Sequence, residues 1–493
     1  MNKEPAKNAL QLFSDFNDNN VRYCHWKSNE HLLPGLTGDT DLDILIDPVD
    51  VGKAYTYMIK NNFKRVISHP WKCYSSVEDW IGLDEEQMIQ THLHVHYKLL
   101  TGLKNVKDQY FNFNKMVLDN AVIHGDFNIK VCCPDIEYIL LLCRIALKRS
   151  STGAIKKVFG ESEKKEYEYL LARSSKQAVS EYAHSLLTTK TAEMLIALYA
   201  EPDDIRLFAK FRKALIKELS FMQRTTRSNA EAVYFRRWFG YRVSKLFRRP
   251  VRLKKYSATG GKLISFIGVD GAGKTTLATF FAKWMSWKID CRYVYLGTGD
   301  GKTSLLNRFK KKALKGKKHS TSGISSAPSG NEAPMSFKRK IRRTAANIIH
   351  LSNSKYKYKS IRKINKLVNS GTIVITDRYP QLDYAGIYDG LAIQDIMGND
   401  LLARYNRHLA DKERKLFEEM CRFNPDIIIK LVIPVEVSNQ RKPCTHKELE
   451  IIKRKVAITE TLHYKGSQEF IVDSSNDIEI TKHEVASILW RYV

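Results

Sequence analysis

The residues with the clearest chemical potential form a glycine-rich run, 268–276, that ends in lysine and two threonines. An apolar stretch that predicts a buried strand precedes it, and a helical pattern follows it. Glycines let successive backbone N–H groups point inward around phosphates, and the helix N-terminus adds partial positive charge. Lys274 can reach the β- and γ-phosphates of ATP, and the Thr275 hydroxyl can ligate Mg²⁺. The predicted ATP-binding residues are Gly268, Asp270, Gly271, Ala272, Gly273, Lys274, Thr275 and Thr276.

A second group of chemically capable residues lies near the N-terminus, where Asp41 and Asp43 alternate along a predicted strand. Side chains alternate between the two faces of a strand, so these carboxylates share one face and can bind metal ions that activate a nucleoside triphosphate. Another predicted strand carries His92, His94 and His96 on one face. Two interpretations of the histidines are open: metal ligands or a base in place of a third acid, or the polar face of an exposed strand.

The order of the predicted elements indicates how these residues are positioned. After residue 262, strands alternate with helices, and this alternation predicts an α/β fold: a parallel sheet with helices on both faces. Residues 1–134 mix short strands with amphipathic helices, which predicts an α+β domain, and 135–235 reads as a helical extension by its apolar spacing. A basic linker, 236–261, joins them to the α/β domain, 262–493. The strands predicted in that domain are 263–269, 293–296, 373–376, 427–433 and 470–472.

The chain's composition limits the classes of protein that it can be. Its 493 residues predict two or three domains, and its formal charge of +28 predicts either attraction to an anionic partner or charged, solubilising segments. The eight cysteines form no C-x-x-C pair, a pattern typical of reduced thiols in the cytosol. We find no signal peptide and no apolar stretch long enough to span a bilayer. We therefore predict a cytoplasmic protein, with peripheral membrane attachment and oligomerisation both open.

Two basic tracts interrupt this pattern. Arg236 to Lys255 contains no acid and interleaves Arg and Lys with aromatic residues. It predicts either an interdomain helix whose aromatic rings pack on a neighbouring element, or a contact with an anionic membrane surface or nucleic acid. The second tract, about 302–343, contains a serine-rich stretch and too little apolar surface to order itself, so we predict a mobile insertion.

Several motifs after residue 262 together resemble the thymidylate kinase family of nucleoside-monophosphate kinases. The opening strand and phosphate loop match, including the aspartate inside the loop, and so does an Asp-Arg-Tyr motif at a strand end. The matching segments are 266–276, 374–379, 424–429, 434–441 and 471–475. The resemblance implies a P-loop kinase fold, ATP as substrate, Mg²⁺ as cofactor and transfer of the γ-phosphoryl group to an acceptor.

The resemblance also implies roles for individual residues. Asp377, at the end of a strand, would hold Mg²⁺ together with Thr275, and Arg378 would grip the acceptor phosphate. Asp270 would accept a hydrogen bond from an acceptor sugar hydroxyl. The phosphate loop carries no arginine, so a predicted lid must neutralise the charge of the transition state. The lid candidates are Arg441, foremost, then Lys442 and Lys447.

Two departures from that family leave the acceptor open. The element that holds the thymidylate reads Leu296 to Lys302 here, without its arginine-proline-glycine, and Pro380 to Tyr384 replaces the family's residues after Asp-Arg-Tyr. The predicted function is therefore a Mg²⁺-dependent ATP phosphotransferase with an altered acceptor pocket. Its acceptor is a nucleotide or, alternatively, a sugar or glycan intermediate. A further alternative is an ATP-binding regulatory switch.

The Asp-x-Asp strand resembles that of the nucleotidyltransferase superfamily. The match is partial, because Lys27-Ser28 stands where that superfamily has Gly-Ser, and no third carboxylate is evident on a later strand. The resemblance implies metal binding by Asp41 and Asp43 and, for an active domain, nucleotidyl transfer. A binding or regulatory domain is the alternative.

Overall fold

The computed structural model describes residues 3–150, 157–247, 251–297, 336–394 and 396–492. These residues divide into two compact units, Met1–Ala258 and Thr259–Tyr492, here called the first and second units. The finer division after residues 134, 235 and 261 stays a prediction. Most of the predicted insertion at 302–343 lies outside the described residues. Within the described ranges, no helix combines the length and apolar character needed to cross a bilayer.

The first unit is organised around a mixed eight-stranded sheet of order β10-β3-β4-β5-β2-β1-β9-β8, beside a β6–β7 ribbon. Strands β2 and β5 are parallel, and β4 runs antiparallel to β5. Polar and apolar residues alternate from Asp41 to Ile44, so the two acids share one face of β2 while Leu42 and Ile44 join the core on the other. The strands are β1 (Tyr23–His25), β2 (Asp41–Ile46), β3 (Phe63–Ile67), β4 (Val77–Asp84), β5 (Ile89–His96), β6 (Leu99–Thr101), β7 (Gln109–Phe111), β8 (Val122–His124), β9 (Ile129–Val131) and β10 (Tyr256–Ser257).

Helices dominate the rest of the first unit, as predicted for residues 135–235. Helix α5 is buried on almost every side and forms the centre of a hydrophobic cluster to which α6–α9 contribute. An all-round apolar helix requires neighbours on each side, and the surrounding helices supply them. The helices are α1 (Lys7–Asp18), α2 (Leu32–Leu36), α3 (Val51–Lys60), α4 (Asn114–Asp119), α5 (Pro134–Lys148), α6 (Glu161–Leu171), α7 (Lys176–Leu186), α8 (Thr189–Ala200), α9 (Ile205–Glu218) and α10 (Arg227–Leu246).

A buried carboxyl group connects the helical part to the sheet-bearing part. Glu137 on α5 is 1% exposed and accepts a hydrogen bond from the backbone N–H of Asn29 at 3.0 Å. The pKa of Glu137 is raised from 4.5 to about 8, mainly by burial and secondly by the nearby carboxylate of Glu166. The folded protein therefore holds a proton on Glu137 at pH values where the unfolded chain has released it.

We expect this group to make the first unit less stable as pH rises. Below pH 4.5, the pKa of Glu137 in the unfolded chain, the group is protonated in both states and does not change the stability. As pH rises from there toward about 8, its pKa in the folded protein, the free energy of unfolding decreases. Urea unfolding at pH 5 and pH 8 should show this decrease, and Glu137→Gln, which cannot ionise, should reduce it. A pH dependence unchanged in Glu137→Gln would contradict the assignment. Glu181→Gln, at an exposed position of α7, is the control.

Part of the predicted basic linker is a helix. Residues 236–246 continue α10, and Tyr256 and Ser257 pair with β3 of the same unit. The expectation that the aromatic rings of this tract pack on a neighbouring element is wrong, because Trp238, Phe239 and Phe247 are 44%, 64% and 71% exposed.

The second unit contains a five-stranded sheet of order β12-β13-β11-β14-β15, and every pair in it is parallel. This confirms the predicted parallel sheet, with the strand before the glycine-rich loop at its centre. The strands are β11 (Leu263–Gly268), β12 (Cys291–Val294), β13 (Ile373–Thr376), β14 (Ile427–Val432) and β15 (Gln468–Asp473). The helices are α11 (Lys274–Met285), α12 (Phe337–Asn369), α13 (Leu401–Met420), α14 (Val435–Arg441), α15 (His446–Thr459) and α16 (Ile478–Trp490).

Candidate functional site

The glycine-rich loop connects the central strand β11 directly to helix α11. Gly273 caps that helix with φ +82°, a left-handed conformation that side chains disfavour. Gly268 lies so close to β14 that an added Cβ would be 2.5 Å from the carbonyl oxygen of Leu431. The loop therefore requires glycine at these positions. It ends at the N-terminus of α11, where the first N–H groups of a helix have no partner within the helix and can bind an anion.

Three charged side chains lie inside and beside the loop. Lys274 donates a hydrogen bond from Nζ to the Val269 carbonyl at 2.7 Å, and burial lowers its pKa to about 8 although Asp270 opposes the shift. Burial alone would raise the pKa of Asp270, but Lys455 on α15, 3.1 Å away, and then Lys274 lower it. Lys455 was not predicted from the sequence, because only the packing of α15 brings it to the loop.

The predicted pair Thr275 and Asp377 meets at the end of the sheet. Thr275 Oγ1 donates to Asp377 Oδ2 at 2.7 Å, and Asp377 directly follows β13. Asp377 is fully buried, and its Oδ1 has no hydrogen-bond partner among the described residues. A buried carboxylate oxygen without a donor needs a cation or water, and hydroxyl and carboxylate oxygens are ligands that Mg²⁺ prefers. These two residues fit a Mg²⁺ site.

Arg378 faces a carboxylate that the sequence did not reveal. Its Nη1 lies 3.7 Å from Asp389 Oδ2, and Lys357 Nζ on α12 lies 2.6 Å from Asp389 Oδ1. Burial would raise the pKa of Asp389, but Lys357 and then Arg378 lower it. Asp389 and its neighbour Tyr388 both have positive φ, 59° and 45°, a strained conformation that persists where the surroundings enforce it. From sequence, Asp389-Gly390 reads only as a turn.

Of the predicted lid residues, Arg441 lies beside the loop, on helix α14. This helix packs on the loop, and the Ser438 hydroxyl donates a hydrogen bond to the Asp270 carbonyl at 2.7 Å. The Arg441 guanidinium donates to the carbonyls of Ser474 and Ser475, at 2.7 and 3.2 Å, and so ties α14 to the turn after β15. Lys442 is exposed. The side chain of Lys447 lies outside the described part of the structure, and so do residues 298–302 of the segment that stands in place of the family's thymidylate-holding element.

A cavity of about 300 Å³ lies between the loop, the ends of β14 and β15, and α15. Its wall combines apolar side chains with the polar residues that follow β15. A cleft with apolar walls and a polar rim next to the glycine-rich loop suits a flat aromatic ring. The residues lining it include Val269, Val432, Pro434, Val456, Asp473 and Ser475.

In the first unit, the predicted acids and histidines form one hydrogen-bonded row. The parallel pairing of β2 and β5 places Asp41 opposite His92 and Asp43 opposite His94. His92 Nδ1 lies 2.7 Å from Asp41, and His94 Nδ1 lies 3.0 Å from Asp43. His96 Nε2 is 3.5 Å from the same Asp43 oxygen. The histidines are therefore partners of the acids, and His92 and His96 are buried rather than on an exposed face.

The structure also supplies a third carboxylate, which the sequence analysis did not identify. Asp79 on β4 is buried, stands opposite His94 in the strand register, and lies 2.9 Å from His92 Nε2. Asp79 is on a strand later in the chain than β2, but no sequence pattern identified residues 77–84 as a strand. Burial would raise the pKa of Asp79, but His92 lowers it.

The cation expected at Asp41 and Asp43 has a competitor in the structure. Lys27 Nζ lies 2.9 Å from Asp43 Oδ1, so a metal ion at that oxygen would displace it. Asp43, His94 and His96 can offer ligand atoms within 4.8 Å of one another. Two nitrogens and one oxygen suit zinc better than Mg²⁺. The residues in place therefore do not fit the all-oxygen site expected for Mg²⁺, and metal binding here stays a prediction.

A parallel α/β unit with a glycine-rich loop at its central strand is the class of structure that the second unit defines. The chain is similar to the "Uncharacterized ATP-binding protein YghR" of Escherichia coli K12, with 29% identity over 222 residues, 43% of this chain and 80% of YghR. It is also similar to the "Uncharacterized ATP-binding protein YghS" of the same strain, with 25% identity over 225 residues, 44% of this chain and 87% of YghS. No protein-family model matches the chain.

Proposed function

We propose that the second unit is a P-loop kinase, which binds ATP with Mg²⁺ and transfers the γ-phosphoryl group to an acceptor oxygen. The observation that carries this proposal is the contact between Thr275 and Asp377, 2.7 Å, beside a loop that leads into the N-terminus of α11. The two E. coli relatives, both named as ATP-binding proteins, support the nucleotide. The motifs that resemble those of thymidylate kinases support the reaction class.

Each side chain has a distinct part in this mechanism. The backbone N–H groups of the loop and the Lys274 ammonium hold the phosphates, and Thr275 and Asp377 hold Mg²⁺. When bound, Mg²⁺ would neutralise charge on the phosphate oxygens. Arg378 orients the acceptor, and Arg441 keeps α14 against the turn after β15. Lys455 adds a positive charge next to Asp270, where the acceptor would meet the transferred group.

The proposal is tested by measuring ADP release by the full-length protein with ATP and Mg²⁺ across two acceptor panels. One panel contains nucleoside monophosphates and the other monosaccharides. Acceptor-dependent release supports the kinase and identifies the acceptor class. ATP binding without stimulation by either panel would favour the regulatory switch.

A hydroxyl of a sugar or glycan is the second candidate acceptor, and Asp389 favours it. An arginine dedicated to an acceptor phosphate would need its charge free, whereas Asp389 already faces Arg378. A buried carboxylate at this position could instead accept the proton of an attacking hydroxyl, because Lys357 and Arg378 keep it ionised.

For a hydroxyl acceptor, we expect Asp389→Asn to lower kcat about 100-fold, the range of a lost general base. The amide has the same shape but cannot accept the proton. ADP release with the monosaccharide panel measures the effect, and Asp383→Asn, an exposed acid of the same segment, is the control. If instead nucleoside monophosphates are the acceptors and Asp389→Asn raises their turnover, Asp389 acts only as a counter-charge to Arg378.

We also propose that the first unit has a nucleotidyltransferase-like site at Asp41, Asp43 and Asp79, for a metal ion that would displace Lys27 and take nitrogen ligands from His94 and His96. The buried Asp79 shares a cross-strand row with Asp43, and His92 contacts both Asp41 and Asp79, which supports this site over a simple polar strand face. We expect pyrophosphate release from nucleoside triphosphates to be lost when Asp41→Asn is combined with Asp43→Asn. Glu86→Gln, on the exposed surface of the same unit, is the control. Equal release by the double variant and the wild type would remove the case for this site.

A further inference from the structure

One face of helix α10 packs against the rest of the first unit. Ala230 is fully buried, and Val233 and Tyr234 pack with it against Leu103 and Val106. One turn further along, the Arg237 guanidinium donates to the backbone carbonyls of Trp71, at 3.0 Å, and Asn105. These contacts fix the rotation of the helix about its axis.

The opposite face of α10 is apolar and exposed. Phe235, Phe239 and Leu246 lie within about 40° of one another at 100° per residue, and roughly opposite to Ala230. Their side chains are 41%, 64% and 78% exposed. Trp238 flanks them, 44% exposed, with the Arg242 guanidinium 4.1 Å from its ring centroid. Bulky apolar side chains in such a row are uncommon on a surface that faces only water.

The sequence around this face has one sign of charge. Between Glu231 and Asp270 the chain contains ten Lys and Arg residues and no acid. On the helix itself, Arg236 and Lys245 lie on either side of the apolar row. A row of aromatic and aliphatic side chains between basic flanks is the pattern of helices that lie in the plane of a membrane interface.

We propose that this face of α10 (Phe235, Trp238, Phe239, Arg242 and Leu246, here called the α10 face) binds the surface of an anionic lipid bilayer. The apolar row would enter the boundary between headgroups and acyl chains, and the basic residues would contact lipid phosphates. Each basic residue near an anionic surface strengthens binding about fivefold. Nucleic acid would match the charge, but Leu246 offers it neither a stacking ring nor a hydrogen bond. A bilayer satisfies both the charged and the apolar parts of the surface.

The test is co-sedimentation of the full-length protein with phosphatidylcholine vesicles, prepared with and without phosphatidylglycerol. We expect binding only to the anionic vesicles, weakened by added salt. Phe239→Ser combined with Leu246→Ser should weaken it at least about tenfold, because both apolar side chains leave the row. Ile59→Ser, at a 65% exposed apolar position on α3, should leave it unchanged.

Several outcomes would overturn the proposal. These are equal binding to neutral vesicles, no binding to either kind, and an unchanged affinity in the Phe239→Ser and Leu246→Ser variant. Tighter binding to duplex DNA than to anionic vesicles would assign the surface to nucleic acid instead. Concentration-dependent dimerisation lost in the same variant would assign it to a second copy of the chain. Because both positions are exposed, circular dichroism of the variant should match the wild type.

Discussion

Lys274→Met should reduce ATP turnover by the full-length protein at least about 100-fold, the scale of a lost positive charge at a developing negative one. The Lys274 ammonium is held inside the loop by the Val269 carbonyl, next to the buried part of Asp270. Methionine has a similar length and packs well in apolar surroundings, so the loop should keep its shape. The variant therefore removes the charge that would face the phosphates of bound ATP, and little else.

Acceptor-stimulated ADP release measures this effect, and equilibrium binding of ATP separates affinity from turnover. Lys283→Met, on the exposed side of the same helix, controls for general loss of positive charge. Near-normal turnover in Lys274→Met would show that the loop does not hold the reacting nucleotide. If the wild type binds ATP tightly but shows no turnover, the result would favour the regulatory switch over the kinase.

The parts of the second unit that could be predicted from the sequence are those formed by consecutive residues. A strand, a glycine-rich loop and a helix follow one another within 263–285, so local propensity and loop chemistry suffice. Asp377 was predictable because it ends a short apolar run, and parallel strands bring their carboxyl ends to one edge of the sheet. The contact of Asp377 with Thr275 follows from the adjacent, parallel pairing of β11 and β13.

The residues that were not predictable are brought in by tertiary packing. Lys455 reaches Asp270 from a helix 185 residues away in the chain. Asp389 lies in an irregular segment whose backbone conformation no periodic pattern indicates. Asp79 depends on the register of an antiparallel pair, and strand register follows from the whole sheet rather than from one strand. Whether the aromatic rings on α10 are exposed likewise depends on which face of the helix packs against the rest of the first unit. That face carries Ala230 and Val233.

Asp377→Asn should lower kcat about 100- to 1,000-fold and raise the Mg²⁺ concentration needed for half-maximal activity. The amide oxygen can still accept the hydrogen bond from Thr275, so the local structure should survive while the negative charge is lost. A Mg²⁺ titration of acceptor-stimulated ADP release, compared with the wild type, measures both effects.

The companion variants separate a metal site from a structural hydrogen bond. Thr275→Ser keeps the hydroxyl that donates to Asp377 and should retain most activity, whereas Thr275→Val removes it and should shift the Mg²⁺ dependence in the same direction as Asp377→Asn. If Asp377→Asn lowers activity without altering the Mg²⁺ dependence, the carboxylate serves only to orient Thr275. In that case the partnerless Oδ1 of Asp377 would need another occupant, such as a buried water.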